Sequence, residues 1–213
     1  GRKWWSSGAA SPRCGITIVM GVTDPDAPRG QRHSMLLVPP STPGFTVERE
    51  VPVFGRYDQA GGHPEVRLDD VRVPVANLLG AQGEGFRIAQ ARLGPGRIHH
   101  CMRAIGMAER GFEIMCRYAN VRETSGGKLA DKQFVQEWIA TSRMEIDQAR
   151  LLTQYAAWKM DTAGKQNARQ ELSMTKVVVP NMMMNVLDRV IQCLGALGVS
   201  DDTPVAAMWR NGR

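Results

Sequence analysis

The sequence predicts an α+β protein: part of an antiparallel β domain over residues 1–80, then an antiparallel helical bundle over residues 81–213. Three observations predict it. Short β-branched or alternating runs, separated by turn residues, fill the first part. Apolar stripes at helical spacing fill the second. The period changes at Gly83-Glu84-Gly85.

In chain order, Lys3-Trp4-Trp5-Ser6-Ser7-Gly8 reads as a strand-like start, with Trp5 and Ser7 on one face by alternation. Gly15–Met20, Ser34–Val38, Phe45–Val53 and Glu65–Leu68 follow as short strands. Asp24-Pro25, Pro28-Arg29-Gly30, Thr42-Pro43-Gly44 and Gly61-Gly62 supply the turns between them. The first helix carries Ile98, Cys101, Ile105, Ala108, Phe112, Met115 and Ala119 on one stripe. The second carries Val135, Ile139, Ser142, Ile146, Ala149, Thr153, Ala156 and Met160. The third carries Leu172, Thr175, Val179, Met182, Val186 and Val190. Each stripe repeats at three- and four-residue steps, the spacing of one helix face. Gly126-Gly127 and Gly164 separate the helices, and short links make neighbouring helices antiparallel.

Pro180 is expected to kink the third helix or be absorbed by a local distortion. That helix has a second apolar side in Met183, Leu187 and Ile191. Leaving such a face wet forfeits several kcal/mol at roughly 25 cal/mol per Å². The sequence therefore predicts that a further helix, or another subunit, covers it and is missing from this chain.

Composition is that of an ordinary globular protein, with 43% hydrophobic and 23% charged residues. The 27 Lys and Arg exceed the 21 Asp and Glu, giving a net charge of +6. The basic residues are scattered without an aromatic stripe, which argues against a nucleic-acid partner. A mildly basic surface and an anion-attracting one both fit the excess. Cys14, Cys101, Cys116 and Cys193 form no C-x-x-C pair, so neither a zinc site nor a disulfide framework is expected. No apolar run is long enough for a transmembrane segment. The chain opens on Gly1-Arg2-Lys3-Trp4-Trp5, which reads as the interior of a longer protein.

The sequence has no dinucleotide fingerprint, Walker loop or H-E-x-x-H motif. His99 and His100 are adjacent, diverge on a helix and lack a third ligand, so no metal site is expected. Two segments carry more chemistry. At Trp4-Trp5-Ser6-Ser7, indoles beside hydroxyls suit a planar heteroaromatic ligand, but taken alone the segment favours packing of the indoles in the core. At Leu93-Gly94-Pro95-Gly96-Arg97, glycines permit close backbone approach, and Pro95 ends one helix or opens the next. A helix start with Arg97 beside it would bind an anion; a plain helix junction is the other reading.

Taken in order, these segments resemble the acyl-CoA dehydrogenase family. Lys3-Trp-Trp-Ser-Ser7 sits where members carry a Trp-Ile-Thr-like flavin segment. Asp70-Val-Arg-Val-Pro74, Asn77-Leu-Leu-Gly80 and Gly83-Glu-Gly-Phe86 look like the family's link from sheet to helices. Leu93-Gly-Pro-Gly-Arg-Ile-His-His-Cys-Met-Arg103 is similar to the branch containing family members 10 and 11, nearer member 11. The resemblance spans nearly the whole chain and implies FAD as cofactor. Trp5, Ser6 and Ser7 would meet the flavin ring. Ser7, Gly94, Pro95, Gly96 and Arg97 would contact the acyl-CoA substrate. Arg122, Gln192, Gly195 and Ala196 would reach the FAD of a neighbouring subunit. Ser125 stands where many members have Phe, and Ala196 where many have Gly.

The implied reaction is α,β-dehydrogenation of a fatty acyl-CoA thioester in β-oxidation. A carboxylate takes the α-proton while the flavin takes hydride from the β-carbon. The resemblance places that carboxylate beyond Arg213. The alternative position used by some relatives is Gly96 here. Glu84 and Glu109 are available carboxylates without a supporting motif. The isolated chain is therefore expected to be inactive. The family further implies a homodimer or dimer of dimers, with electron-transfer flavoprotein or another acceptor as redox partner. It also implies a mitochondrial or peroxisomal location in a eukaryote, or a cytoplasmic one in a bacterium. Two alternatives remain at this stage: a non-catalytic module docking on full-length subunits, and an acyl-CoA oxidase.

Overall fold

The computed structural model describes residues 1–57 and 61–213. It is α+β, as the sequence predicts, and divides into two compact units, Gly1–Arg92 and Leu93–Arg213.

The described residues of the first unit hold two small antiparallel sheets. In one, β1 (Arg2–Lys3), β5 (Pro64–Leu68) and β4 (Phe45–Glu50) lie in the order β1-β5-β4. In the other, β2 (Thr17–Val22), β3 (His33–Val38) and β6 (Leu78–Leu79) lie in the order β2-β3-β6. Val66 and Val38 are buried, which fixes the inward face of each sheet. The buried Ser34 hydroxyl accepts the Gly83 N–H at 2.9 Å and meets Thr23 Oγ1 at 2.7 Å, tying the sheet to the loop before the first helix. The opening strand is shorter than expected. Pairing ends at Lys3, and Trp5 has φ 59°, a left-handed conformation that no strand contains. Alternation therefore does not order Trp5 and Ser7.

Helix α1 (Gly85–Val121) leads into the second unit, whose described residues contain α2 (Gln133–Ala163) and α3 (Arg169–Leu194) and end in α4 (Ala196–Val199) and α5 (Val205–Gly212). A hairpin of β7 (Glu123–Thr124) and β8 (Gly127–Lys128) links α1 to α2. Cys101, Ile105, Ala108, Met115 and Ala119 are buried along α1, and Ile98 and Phe112 half-buried. On α2, Val135, Ser142, Ile146, Ala149, Thr153 and Ala156 are buried. The α3 stripe is buried throughout, and α3 runs on through Pro180.

One expectation is overturned. Met183 and Leu187 are 2% and 0% exposed, so the second side of α3 is already covered within this chain. A Cβ placed on Gly111 would fall 2.8 Å from Leu187 Cδ2, so α1 approaches α3 closely there because it lacks a side chain. Gly212 of α5 makes the same kind of approach to Met183, whose Sδ is 3.0 Å from the Cβ position. The uncovered apolar face belongs to α2 instead. Met144, Leu151, Tyr155 and Trp158 are 56%, 65%, 47% and 59% exposed. Their steps of seven, four and three place them opposite the α2 core stripe.

Ion pairs fasten the helices outside the core. Arg143 forks onto Glu109 at 2.8 and 3.0 Å, pairs with Asp147 at 2.6 Å and lies over the Phe112 ring at 5.3 Å. Arg150 also bonds Glu109. Arg189 forks onto Glu145 at 2.6 and 3.0 Å, joining α3 to α2. Among the described residues, no helix is long and apolar enough to cross a membrane.

Two outcomes follow. Leu187→Ala empties the Gly111 notch and should lower stability by about 3 kcal/mol, read in denaturant unfolding of the bundle. Hydrogen bonds from Arg143, then its charge and that of Arg150, hold Glu109 below the usual carboxylate range. A depressed folded-state pKa contributes stability above the unfolded value and loses it as pH falls through the folded value. Thermal melts from about pH 6 down past about pH 4 should therefore show an acid-side loss that Glu109→Gln reduces.

Candidate functional site

Beyond Lys3 the backbone turns sharply. Ser7 N–H donates to the Trp5 carbonyl at 2.9 Å, while Ser6 N–H reaches the Pro64 carbonyl and Gly8 N–H the Gly62 carbonyl, both at 3.0 Å. The 6–8 segment is thereby strapped to residues 62–64. His63 faces it between the two straps. Its Nδ1 lies 2.8 Å from Ser7 Oγ, and its ring is tilted against the Trp5 indole at 5.0 Å. Trp4 meets the same indole edge-on at 5.5 Å. Trp4 and Trp5 are 62% and 44% exposed, so neither packs in the core of this chain. Trp5 and Ser7 are thus brought together by His63, not by strand alternation. Nothing in the sequence marks His63, because the register of 62–64 against 6–8 is a long-range property.

Beside this cluster, a groove of about 210 Å³ runs between Trp4, Thr17, Ile18 and Phe45. Lys3 Nζ donates across it to the Met20 carbonyl at 2.6 Å. A larger recess of about 700 Å³ lies between Asp24, Gln31, Gln82 and Arg87. Two of its charged groups, Glu84 and Arg87, are paired with each other at 2.7 Å.

The second segment corrects a local expectation. Gly94-Pro95-Gly96-Arg97 neither ends nor opens a helix, because α1 runs through it with Pro95 inside. A Pro has no N–H, so the turn ending at residue 95 lacks one backbone bond, but no helix start is exposed there. The start lies at Gly85, where the Glu84 carboxylate already accepts the Ala81 N–H at 3.1 Å. Gly94 is buried for a specific reason: the Lys165 side chain lies across it, with Nζ 2.9 Å from where a Cβ would be. Arg97 is half-buried one turn further on. Lys165 thus joins Arg97 as a second cation near this segment, a residue the sequence did not single out.

The remaining sequence-predicted residues gather at the other end of the bundle. Arg122 follows α1, and Gln192, Gly195 and Ala196 lie at the end of α3, which runs parallel to α1. Gln192, Gly195, Ala196 and Arg122 are all exposed. Gly195 adopts φ 61° and ψ −135°, a conformation suited to glycine, and its N–H closes α3 on the Ile191 and Gln192 carbonyls at 3.0 and 3.2 Å. The hairpin after Arg122 needs no aromatic at Ser125. Lys132 Nζ donates to the Ser125 and Gly126 carbonyls at 3.2 Å, and Asp131 accepts the Lys128 N–H at 2.9 Å.

The two unassigned carboxylates are committed elsewhere. The Ala81 N–H and then Arg87 hold Glu84 below the usual range, as Arg143 does for Glu109. A carboxylate so stabilised is a weak base, so neither is suited to proton abstraction. Burial pushes the Cys101, Cys116 and Cys193 thiols up, which keeps them unreactive.

The model of the acyl-CoA dehydrogenase C-terminal domain matches residues 83–213. A probable acyl-CoA dehydrogenase of Mycobacterium tuberculosis, FadE2, is 56% identical over 209 residues, covering 98% of this chain and 51% of that protein. Acyl-CoA dehydrogenase family member 11 of Gallus gallus is 54% identical over 211 residues, covering 98% of this chain and 27% of its own length. The chain thus spans about half, or less, of these relatives. The solved structure of a putative acyl-CoA dehydrogenase from Mycobacterium abscessus superposes with a TM-score of 0.97 at 49% identity, over all of this chain and 52% of that one. From the domain match and these likenesses together, this chain belongs to the acyl-CoA dehydrogenase family, whose fold is that of a flavin-dependent dehydrogenase.

Proposed function

We propose that the chain is part of an enzyme that uses FAD to dehydrogenate fatty acyl-CoA thioesters between their α- and β-carbons. The observation that carries this reading is the exposed Trp5 indole, held beside the Ser7 hydroxyl on a backbone of unfavourable conformation. A planar face edged by a hydroxyl fits an isoalloxazine ring. The Ser6 and Ser7 amides are engaged inside the fold, so this segment offers side chains to the ring. Bound flavin would supply the hydride acceptor. Trp5 would orient the ring and Ser7 would hydrogen-bond its edge. Arg97 and Lys165 would draw the phosphate-bearing CoA moiety toward α1. Gly94, Pro95 and Gly96 would shape the passage beside them. Neither Glu84 nor Glu109 takes the α-proton in this reading.

Arg122, Gln192, Gly195 and Ala196, grouped at one end of the bundle, would contact FAD held by a second copy. Self-association is supported by the outer face of α2. Turned antiparallel about Leu151, two copies of α2 would set Met144 against Trp158 and Arg143 near Asp161 of the other copy. The four exposed apolar side chains would remove about 500 Å² from water per copy, which with flanking residues reaches the ~1,000 Å² of a specific interface. Electron-transfer flavoprotein or another acceptor would then reoxidise the flavin.

The full-length protein containing this segment should purify with FAD and reduce an acceptor dye when given acyl-CoA. Trp5→Ala should weaken FAD retention about tenfold, the equivalent of one aromatic stacking contact. Absence of both flavin and acyl-CoA-dependent dye reduction in that protein would defeat the proposal. Leu151→Asp should lower the assembly mass measured by light scattering while leaving helical circular dichroism unchanged.

A further inference from the structure

We infer that His63 is a positioning residue that fixes how Trp5 and Ser7 are presented to the flavin. The inference rests on the assignment of residues 5–7 to the flavin site and goes beyond it. Trp5 occupies a left-handed conformation that is unfavourable for a residue with a side chain. Such strain persists only where the surroundings over-determine it. Here they do. Ser6 N–H to Pro64 and Gly8 N–H to Gly62 strap the turn on both sides of position 63. Between those straps one imidazole touches both proposed flavin contacts, Ser7 Oγ at 2.8 Å and the Trp5 ring at 5.0 Å.

The hydrogen bond does more than hold Ser7 still. A hydroxyl has one O–H and two lone pairs. When His63 Nδ1 accepts, the Ser7 O–H is committed to His63 and only lone pairs remain for a ligand. When Nδ1–H donates, the Ser7 O–H is free to donate outward. The His63 tautomer therefore sets whether Ser7 offers a donor or an acceptor. The edge nitrogen of a flavin accepts when oxidised and donates when reduced. A hydroxyl backed by an imidazole can serve both states; one backed by a carbonyl or an ammonium can serve only one. The sequence Gly61-Gly62-His63-Pro64 delivers the ring to this place, since Pro64 opens β5 and Gly62 pairs with Gly8.

The test uses the FAD-loaded full-length protein and reads the visible flavin spectrum, the flavin midpoint potential and the steady-state constants. His63→Phe keeps a ring against Trp5 and removes the nitrogen. It should shift the spectrum and the potential in the same direction as Ser7→Ala, and the double variant should add little to either. The kcat should fall about three- to tenfold, as for one lost hydrogen bond, with KM for acyl-CoA within about twofold. His63→Asn carries an amide near the Nδ1 position and should recover most of the loss. His63→Gln, whose amide reaches the Nε2 position, should not, and this pair decides the matter if His63→Phe does not fold. Flavin properties that respond to Trp5→Ala and Ser7→Ala but not to His63→Phe overturn this inference alone. A bound flavin indifferent to all three overturns the flavin assignment of residues 5–7, and this inference with it.

Discussion

Leu187 fills the notch left by the absent side chain of Gly111, and the rest of the bundle is arranged around that approach. With α1 drawn in, α3 is enclosed on more than one side, Leu187 and Val190 beside Gly111 of α1 and Met183 beside Gly212 of α5. Within this chain the second apolar stripe of α2, from Met144 to Trp158, is left uncovered. Helices α1 and α3 run parallel, so Arg122 and Gly195 come to one end while Gly94 and Lys165 meet at the other. The close approach at Gly111 is thus one of the contacts that hold α1 against α3.

Charge then selects among the arrangements that apolar burial permits. Arg143 and Arg150 converge on Glu109, and Arg189 spans to Glu145. These bonds are partly exposed, so each contributes modestly. Their forked geometry nevertheless ties α2 to α1 and to α3 at fixed rotations. The same commitments explain why Glu109 is chemically unsuited to accept a proton.

Much of the fold was legible because the period of a stripe is a local property. Cys101 through Ala119, Val135 through Ala156 and Leu172 through Val190 could be placed on helix faces from spacing alone. Which face met which partner was not legible. Met183 and Leu187 looked unpartnered because the glycines that admit them, Gly111 and Gly212, lie far away in sequence. The site divided along the same line. Trp5, Ser7, Gly94 and Arg97 stood out as residue types. Their geometry did not follow, since it depends on His63 and Lys165, which reach them across 56 and 71 positions. Pro95 misled for a different reason: proline disfavours a helix interior strongly enough to suggest a boundary, yet the flanking packing carries α1 through it.

Position 5 sets backbone preference against side-chain identity. A glycine there would suit the left-handed backbone better than tryptophan does, so on stability alone the aromatic is the poorer choice. The chain keeps a residue that its own backbone resists. A screen that rewards only melting temperature would therefore favour replacing the indole on which the proposed flavin contact rests.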